Sequence, residues 1–291
     1  MILLTGAGGK TGQALIRALV AKGETIRAFA RRNEQADDIR SLGVYDVVIG
    51  DLQDDATVRT SMDGVRSVYH ICPNVHPDEV AIGRRVIAAA RDAGVAHFVY
   101  HSVLHPQAES MPHHWNKLRV EEMLFESGVA FTILQPTAYM QNILTGWTAI
   151  VEQGVYRVPY PAATCLSLVD LDDVAEAAAD VLTELGHTRA TYELVGTRAL
   201  SQNEVAEILS QKIGRAVRAE TEPMEEWESH ARRAGMAEYQ ISTLISMFRY
   251  YERFGLWGNS NVLGWLLHRP PTTFPAFVER VARARSGVQS I

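Results

Sequence analysis

The first twenty-one residues restrict the fold more than any other stretch of the chain. Met1-Ile-Leu-Leu-Thr5 is a short apolar run, Gly6-Ala-Gly-Gly-Lys-Thr-Gly12 follows without a gap, and Gln13 to Ala21 repeats apolar residues at helical spacing. That order reads as strand, glycine-rich turn, helix. Gly6, Gly9 and Gly12 let backbone N–H groups come close to a pyrophosphate at a helix N-terminus, where the helix dipole favours an anion. Lys10 and Thr11 belong to the same turn. A competing reading is a triphosphate-binding P-loop, because Gly9-Lys10-Thr11 matches its end. That loop needs another glycine five residues before Gly9, and position 4 is Leu. The spacing therefore points to a dinucleotide.

Strand and helix patterns alternate from there. Strands are expected at Thr25–Ala30, Asp46–Gly50, Ser67–Cys72, His97–His101 and Ala130–Leu134, with helices from Asp55, over Glu79–Ala93 and over Trp115–Ser127. Short links between them predict an α/β fold, a doubly wound parallel Rossmann sheet with right-handed crossovers. Beyond Pro136 the pattern loosens. A helix is expected over Leu171–Leu185 and a strand over Thr191–Val195. A further helix begins at Ser201, with Glu204 placed as in a capping box. An aromatic, Met-containing helical tail runs from Pro223 to Val281. The expected organisation is a dinucleotide-binding domain over 1–142 and a smaller, mostly helical C-terminal subdomain over 143–291, interleaved with the first.

A formal net charge of −6 gives no reason to expect nucleic-acid binding, which would favour a basic surface. No apolar run approaches the roughly 18 residues of a membrane span, and with a strand starting at residue 2 no secretory leader is expected. Cys72 and Cys165, in otherwise apolar runs, read as buried reduced thiols, with a disulfide between them as the alternative. The expectation is a cytoplasmic protein with a small-molecule partner, no direct nucleic-acid contact and no membrane.

About 20 residues past the glycine turn, where the ribose partner belongs, the chain has Arg31 and Arg32 and no acid. An acid would accept from the ribose hydroxyl of NAD, whereas arginine suits a 2′-phosphate. The expected cofactor is NADP, with NAD as the alternative. Asp51 and Leu52 follow the third strand and are candidates for the adenine edge. Loops at the carboxyl ends of parallel strands line the ligand crevice, which adds Ile71, Cys72, Pro73, His101, Ser102, Pro136 and Tyr139 as cofactor contacts. The same rule makes Val103, Tyr139, Met140, Asn142 and Trp147 candidates for a substrate pocket. The tail aromatics, including Trp227, Phe248, Tyr251 and Trp257, either close that pocket or form a homodimer surface.

Thr5-Gly-Ala-Gly-Gly-Lys-Thr-Gly12, Arg27-Ala-Phe-Ala-Arg-Arg32, Gly50-Asp51, His97-Phe-Val-Tyr-His-Ser102, Leu134-Gln-Pro-Thr-Ala-Tyr-Met-Gln-Asn142, Tyr192-Glu-Leu-Val-Gly196 and Arg269-Pro-Pro-Thr-Thr-Phe274 together resemble the NmrA-like family of the atypical short-chain dehydrogenase/reductase superfamily. The resemblance runs nearly end to end. It implies NAD(P) binding, in a family that holds isoflavone-reductase-like enzymes, quinone reductases, redox sensors and a transcriptional co-regulator. The superfamily's Ser, Tyr and Lys correspond here to Val103, His113 and Lys117. The serine is lost, although Ser102 is adjacent, and the tyrosine is a histidine.

Lys117 lies three residues before Val120, itself four before Leu124, so it sits on the inward face of its helix. An inward lysine needs a partner. In the isoflavone-reductase-like branch a lysine in a similar frame is the proposed catalytic group. His113, one turn earlier on the same face, is a candidate acid or base, with His114 as the substitute in another register. Five histidines crowd residues 97–114, but no carboxylate or cysteine completes a metal-ligand set, and no metal is expected. The leading expectation is an NADPH-dependent oxidoreductase acting on a quinone-like or aromatic carbonyl compound, with Lys117 and His113 managing the proton. The rival is a cofactor-binding regulatory protein without turnover, and a third reading is a partner subunit in a larger complex.

Overall fold

In the computed structural model, which describes residues 1–286, the chain divides into two compact units. The first comprises residues 1–109, 113–136 and 174–192, and the second comprises 110–112, 137–173 and the chain from Glu193 on.

The first unit is built on a seven-stranded sheet. Its strands are β1 (Ile2–Leu4), β2 (Ile26–Ala30), β3 (Asp46–Ile49), β4 (Ser67–His70), β5 (His97–His101), β6 (Phe131–Pro136) and β7 (Ala190–Leu194). Their order is β7-β6-β5-β4-β1-β2-β3, and every pair from β3 to β6 is parallel. The strand order reverses between β1 and β4. The chain leaving β1 turns one way and the chain leaving β4 the other, which opens a crevice at the carboxyl ends of these two strands.

The helices are α1 (Lys10–Ala21), α2 (Ala36–Ser41), α3 (Asp55–Ser61), α4 (Glu79–Asp92), α5 (Pro112–Glu126) and α6 (Leu171–Thr183). Leu15, Ile16 and Leu19 bury the inner face of α1 while Arg17 stays exposed. Asp54 caps α3 by accepting from the N–H groups of Ala56 and Thr57. The turn past α4 passes through Gly94 at φ 66°. Phe98, Tyr100, Phe131 and Ile133 from the sheet pack with Ile82, Val86, Val120 and Leu124 from α4 and α5 in one apolar cluster. Each such side chain contributes about 1.5–3 kcal/mol by leaving water.

Three local expectations change. α1 starts at Lys10, so Lys10 and Thr11 lie in its first turn and not in the loop before it. α5 starts at Pro112 and not at Trp115, since proline suits the first helical position, where its missing N–H costs nothing. A 3₁₀ turn (Asn33–Gln35) and the short α2 follow β2, where no helix was expected; only Ala36 and Ile39 face inward there, too few to show a period.

The second unit holds three two-stranded pairings: Ala138–Tyr139 with Leu168–Val169, Cys165–Leu166 with Leu200–Ser201, and Val155–Val158 with Arg218–Thr221. Helices α7 (Gln202–Ile213), α8 (Met224–Arg233), α9 (Glu238–Phe254), α10 (Asn261–Leu267) and α11 (Phe274–Ser286) make up most of the rest. The capping box expected at Ser201 and Glu204 is present at the start of α7. Among the described residues no helix is long and apolar enough to cross a membrane.

Candidate active site

The glycine turn forms a cradle at the end of β1. Gly9, the residue before α1, is extended (φ −85°, ψ 166°), provides no side-chain cap, and no acid lies in the first helical turn. Its N–H donates to the Gly6 carbonyl (3.0 Å), folding the loop back on itself. A Cβ on Gly12 would lie 2.4 Å from the Gly6 carbonyl oxygen and 2.7 Å from Cα of Ala7, so only glycine allows this closure. Buried Thr5 joins the ends of β1 and β4: its Oγ1 donates to the Ile71 carbonyl (3.0 Å) and accepts from the Ile71 N–H (2.9 Å). The first N–H groups of α1 are left for an anion. A turn that packs against Gly12 with no room for a side chain there, leading to an uncapped helix N-terminus, fits a pyrophosphate.

Arg31 and Arg32 follow β2, exposed and with no hydrogen bond or ion pair among the described residues. Nothing in the first unit neutralises them, which suits a 2′-phosphate. The 3₁₀ turn just after them lays Gln35 against the loop: a Cβ on Gly8 would fall 2.4 Å from its Nε2. Asp51 is exposed, and its Oδ1 accepts from the Gln53 N–H (2.9 Å), shaping the turn after β3. Leu52 beside it is buried, Ile71 is partly buried and Pro73 is exposed. Cys72 is buried, and burial followed by the Glu79 charge pushes its thiol up, so it stays protonated.

Between α4, α5 and β5 lies a buried polar cluster. Gly83 of α4 sets the spacing, because a Cβ there would fall 2.7 Å from Cγ2 of Val120 on α5. This close approach, one turn beyond Glu79 and three residues beyond Lys117, brings those two side chains together. Lys117 is 5% exposed and Glu79 is 1% exposed. The Lys117 ammonium donates to Glu79 Oε1 (2.6 Å) and to the His101 carbonyl (3.2 Å), and lies 5.4 Å from the Tyr100 ring centre. Tyr100 Oη also donates to Glu79 Oε1 (3.1 Å). Burial alone would push the Glu79 carboxyl up, but Lys117 and then His113 outweigh it and hold it at about 2. The partner an inward lysine requires is thus Glu79, which sequence reasoning missed. It could have been found: Glu79 precedes Ile82, Gly83 and Val86 by three, four and seven residues, so it heads the inward face of α4.

His113 stands one turn before Lys117, with Nδ1 3.5 Å from Glu79 Oε2. Both of those atoms are buried, and neither makes a hydrogen bond. His114 points elsewhere: it is fully buried, its Nδ1 lies 3.3 Å from the His105 carbonyl, and burial followed by the neighbouring His113 pushes it down to about 3. It therefore stays neutral. His101 is held on the opposite side of β5, with Nδ1 2.6 Å from Tyr69 Oη, and is pushed down to about 3 by burial and then by Lys117. Ser102 donates to Glu121 Oε1, and that carboxylate also accepts from Gln135 Nε2 (2.9 and 3.1 Å). Its hydroxyl serves this buried triangle. Val103 is partly buried and Pro136 is buried. No group of three or more His, Cys, Asp or Glu is placed to hold a metal among the described residues.

In the second unit Tyr139 is partly buried and Asn142 exposed, whereas Met140 and Trp147 pack with Ile143, Ile150 and Phe274 in the apolar core. Of the tail aromatics, Trp227 packs edge-on against Phe248 (4.9 Å between ring centres), Tyr160 lies beside Phe248 and Tyr251, and Trp257 is half exposed.

A sequence profile of the NmrA-like family matches residues 1–277. The NAD(P)H azoreductase of Xenophilus azovorans is 31% identical over 285 residues, covering 98% of this chain and 99% of that protein. The crystal structure of an NADPH-dependent quinone oxidoreductase from Escherichia coli, complexed with NADPH, superposes with a TM-score of 0.84 at 27% identity, covering 97% of this chain and 99% of the other. A triphenylmethane reductase from Citrobacter sp., complexed with NADP(H), gives a TM-score of 0.83 at 27% identity over 97% of this chain and all of the other.

Proposed function

The chain belongs to the NmrA-like family, and from that premise we propose that it is an NADPH-dependent oxidoreductase whose acceptors are quinones or related planar aromatic compounds. The observation that carries the reading is the cradle itself: a glycine turn closed against Gly12 too tightly for a side chain there, an uncapped helix N-terminus, and two exposed, unpaired arginines just after β2, which suit a 2′-phosphate. The relatives that act on quinones and azo compounds support the acceptor class.

In this reading Gly6, Gly9, Lys10, Thr11 and Gly12 hold the pyrophosphate, Arg31 and Arg32 the 2′-phosphate, and Asp51 with Leu52 the adenine. Ile71, Cys72, Pro73, His101, Ser102, Pro136 and Tyr139 line the remainder. When bound, NADPH supplies a hydride from nicotinamide C4. The ionised Glu79 carboxylate lies beside the Lys117 ammonium and anchors it. Two of its three N–H groups are engaged, and the third is free to hold a hydroxyl of cofactor or acceptor. His113, or a water it orders, manages the acceptor's proton. Substrate contact at Val103, Tyr139 and Asn142 belongs to the same proposal, with Met140 and Trp147 as packing. A cytoplasmic location, no direct contact with nucleic acid and a homodimer complete it.

Purified protein mixed with NADPH or NADH and a panel of quinones and azo dyes tests this. Oxidation of NADPH faster than of NADH, dependent on protein and acceptor, is the expected result. Tight NADPH binding without oxidation would place the chain among the family's regulatory members.

A further inference from the structure

Glu79 has two carboxylate oxygens in different situations. Oε1 accepts from the Lys117 ammonium and the Tyr100 hydroxyl, while Oε2 is buried without a hydrogen bond. Nδ1 of His113 on α5 lies 3.5 Å from it, buried and also without a hydrogen bond. Buried polar atoms are seldom left unpaired, and two that face each other across a small gap form a hydrogen bond after a slight adjustment. The side chain of His113 keeps 11% exposure. Because Nδ1 has none of it, the exposed part belongs to the rest of the residue.

We propose that Glu79 is the positioning residue of the proton-transfer site: through Oε1 it anchors Lys117, and through Oε2 it takes the Nδ1–H of His113, fixing the tautomer and leaving Nε2 as the atom that exchanges protons. This deepens the oxidoreductase reading and rests on it. Reducing a quinone to a hydroquinone requires two electrons and two protons. One hydride accounts for both electrons and one proton. The second proton comes from Nε2–H of the His113 imidazolium, and the neutral ring, still bound through Nδ1–H to Glu79, regains a proton from solvent. A carboxylate that holds the far nitrogen of a histidine is the arrangement that orients the base in hydrolytic triads. Here it takes the place of the superfamily's tyrosine. The charged and titratable groups around His113 are Glu79 on α4, Lys117 and His114 on α5, and Tyr100 on β5, which joins through Glu79.

The tautomer of His113 is read by nitrogen NMR of the nucleotide-free protein at alkaline pH, with His113→Gln assigning the resonance. The expected spectrum shows Nδ1–H in the wild type and loss of that preference in Glu79→Gln. An Nε2–H tautomer in the wild type, or an unchanged preference in Glu79→Gln, overturns the proposal. If Glu79→Gln fails to fold, Glu79→Gln/Lys117→Met removes both charges together and takes its place. In turnover the variant lowers kcat by about 10²-fold, the lower end for a general acid, with KM for NADPH nearly unchanged. A kcat equal to the wild type's in the folded variant overturns the proposal. Wild-type protein that shows the Nδ1–H tautomer but reduces no acceptor defeats the oxidoreductase reading and leaves the Glu79–His113 geometry standing.

Discussion

Replacing Lys117 by Met keeps the length and apolar stem of the side chain and removes only the ammonium. Glu79 then stays buried with no opposing charge within hydrogen-bond distance. In the wild type its carboxyl is drawn from 4.5 to about 2. At ~1.4 kcal/mol per pH unit that fall corresponds to about 3 kcal/mol, which agrees with the ~3–5 kcal/mol typical of breaking a buried ion pair. The sign with pH is the sharper test. In the wild type the folded carboxyl is ionised down to about pH 2 and the unfolded one only to about 4.5. Its contribution is therefore complete above 4.5 and lost as pH falls through 2. In the variant only His113 and the Tyr100 hydroxyl still oppose burial, so the folded carboxyl is expected to keep its proton to a higher pH than the unfolded one. Its penalty grows as pH rises and vanishes as pH falls. Urea unfolding of both proteins, followed by tryptophan fluorescence between about pH 5.5 and 8, should show the variant less stable by about 3 kcal/mol at the alkaline end, with the gap narrowing toward pH 5.5. A gap under about 1 kcal/mol, or one constant across the range, would refute the ion-pair assignment.

Further outcomes follow from the same structure. Gly12→Ala drives a Cβ into the Gly6 carbonyl and Ala7; NADPH binding, measured by fluorescence titration, should be lost, and near-normal affinity would count against the cradle. Arg31→Ala/Arg32→Ala should weaken NADPH by about 10–100-fold, the worth of a charged hydrogen bond of ~1.5–3 kcal/mol, and leave NADH unchanged; equal losses for both nucleotides would remove the 2′-phosphate assignment. His70, His101 and His114 are each pushed down from 6.5 to about 3, chiefly by burial. The unfolded chain binds these protons from about pH 6.5 and the folded protein does not until about 3, so stability falls across that window. Cooperative acid unfolding with a midpoint above about pH 4 is expected by circular dichroism, and native spectra persisting at about pH 3.5 would contradict it.

The glycine turn was legible because its chemistry is local: three glycines, an apolar run before and a helical period after define strand, loop and helix without reference to anything distant. The alternation from β2 to β6 was legible for the same reason, as was the inward face of Lys117. Its partner was not, since the pairing of Glu79 with Lys117 depends on α4 and α5 meeting at Gly83 and Val120, a contact between segments 37 residues apart (83 and 120). The turn after β2 was missed because α2 is six residues long with two inward side chains. Met140 and Trp147 show the limit in the other direction. Strand-end position made both pocket candidates, with core packing the alternative, and their burial with Phe274, more than a hundred residues on, depends on a distant contact that the fold supplies.

Hydride transfer on the protein is the central claim, and a single-turnover reaction tests it directly: wild-type protein, NADPH carrying deuterium on either face of nicotinamide C4, and a quinone acceptor. Oxidation should be slowed by deuterium on one face only, with the label recovered in the reduction product or exchanged from its hydroxyl. NADPH that binds and is not oxidised, or oxidation with no isotope effect from either face and no dependence on the protein, would contradict it.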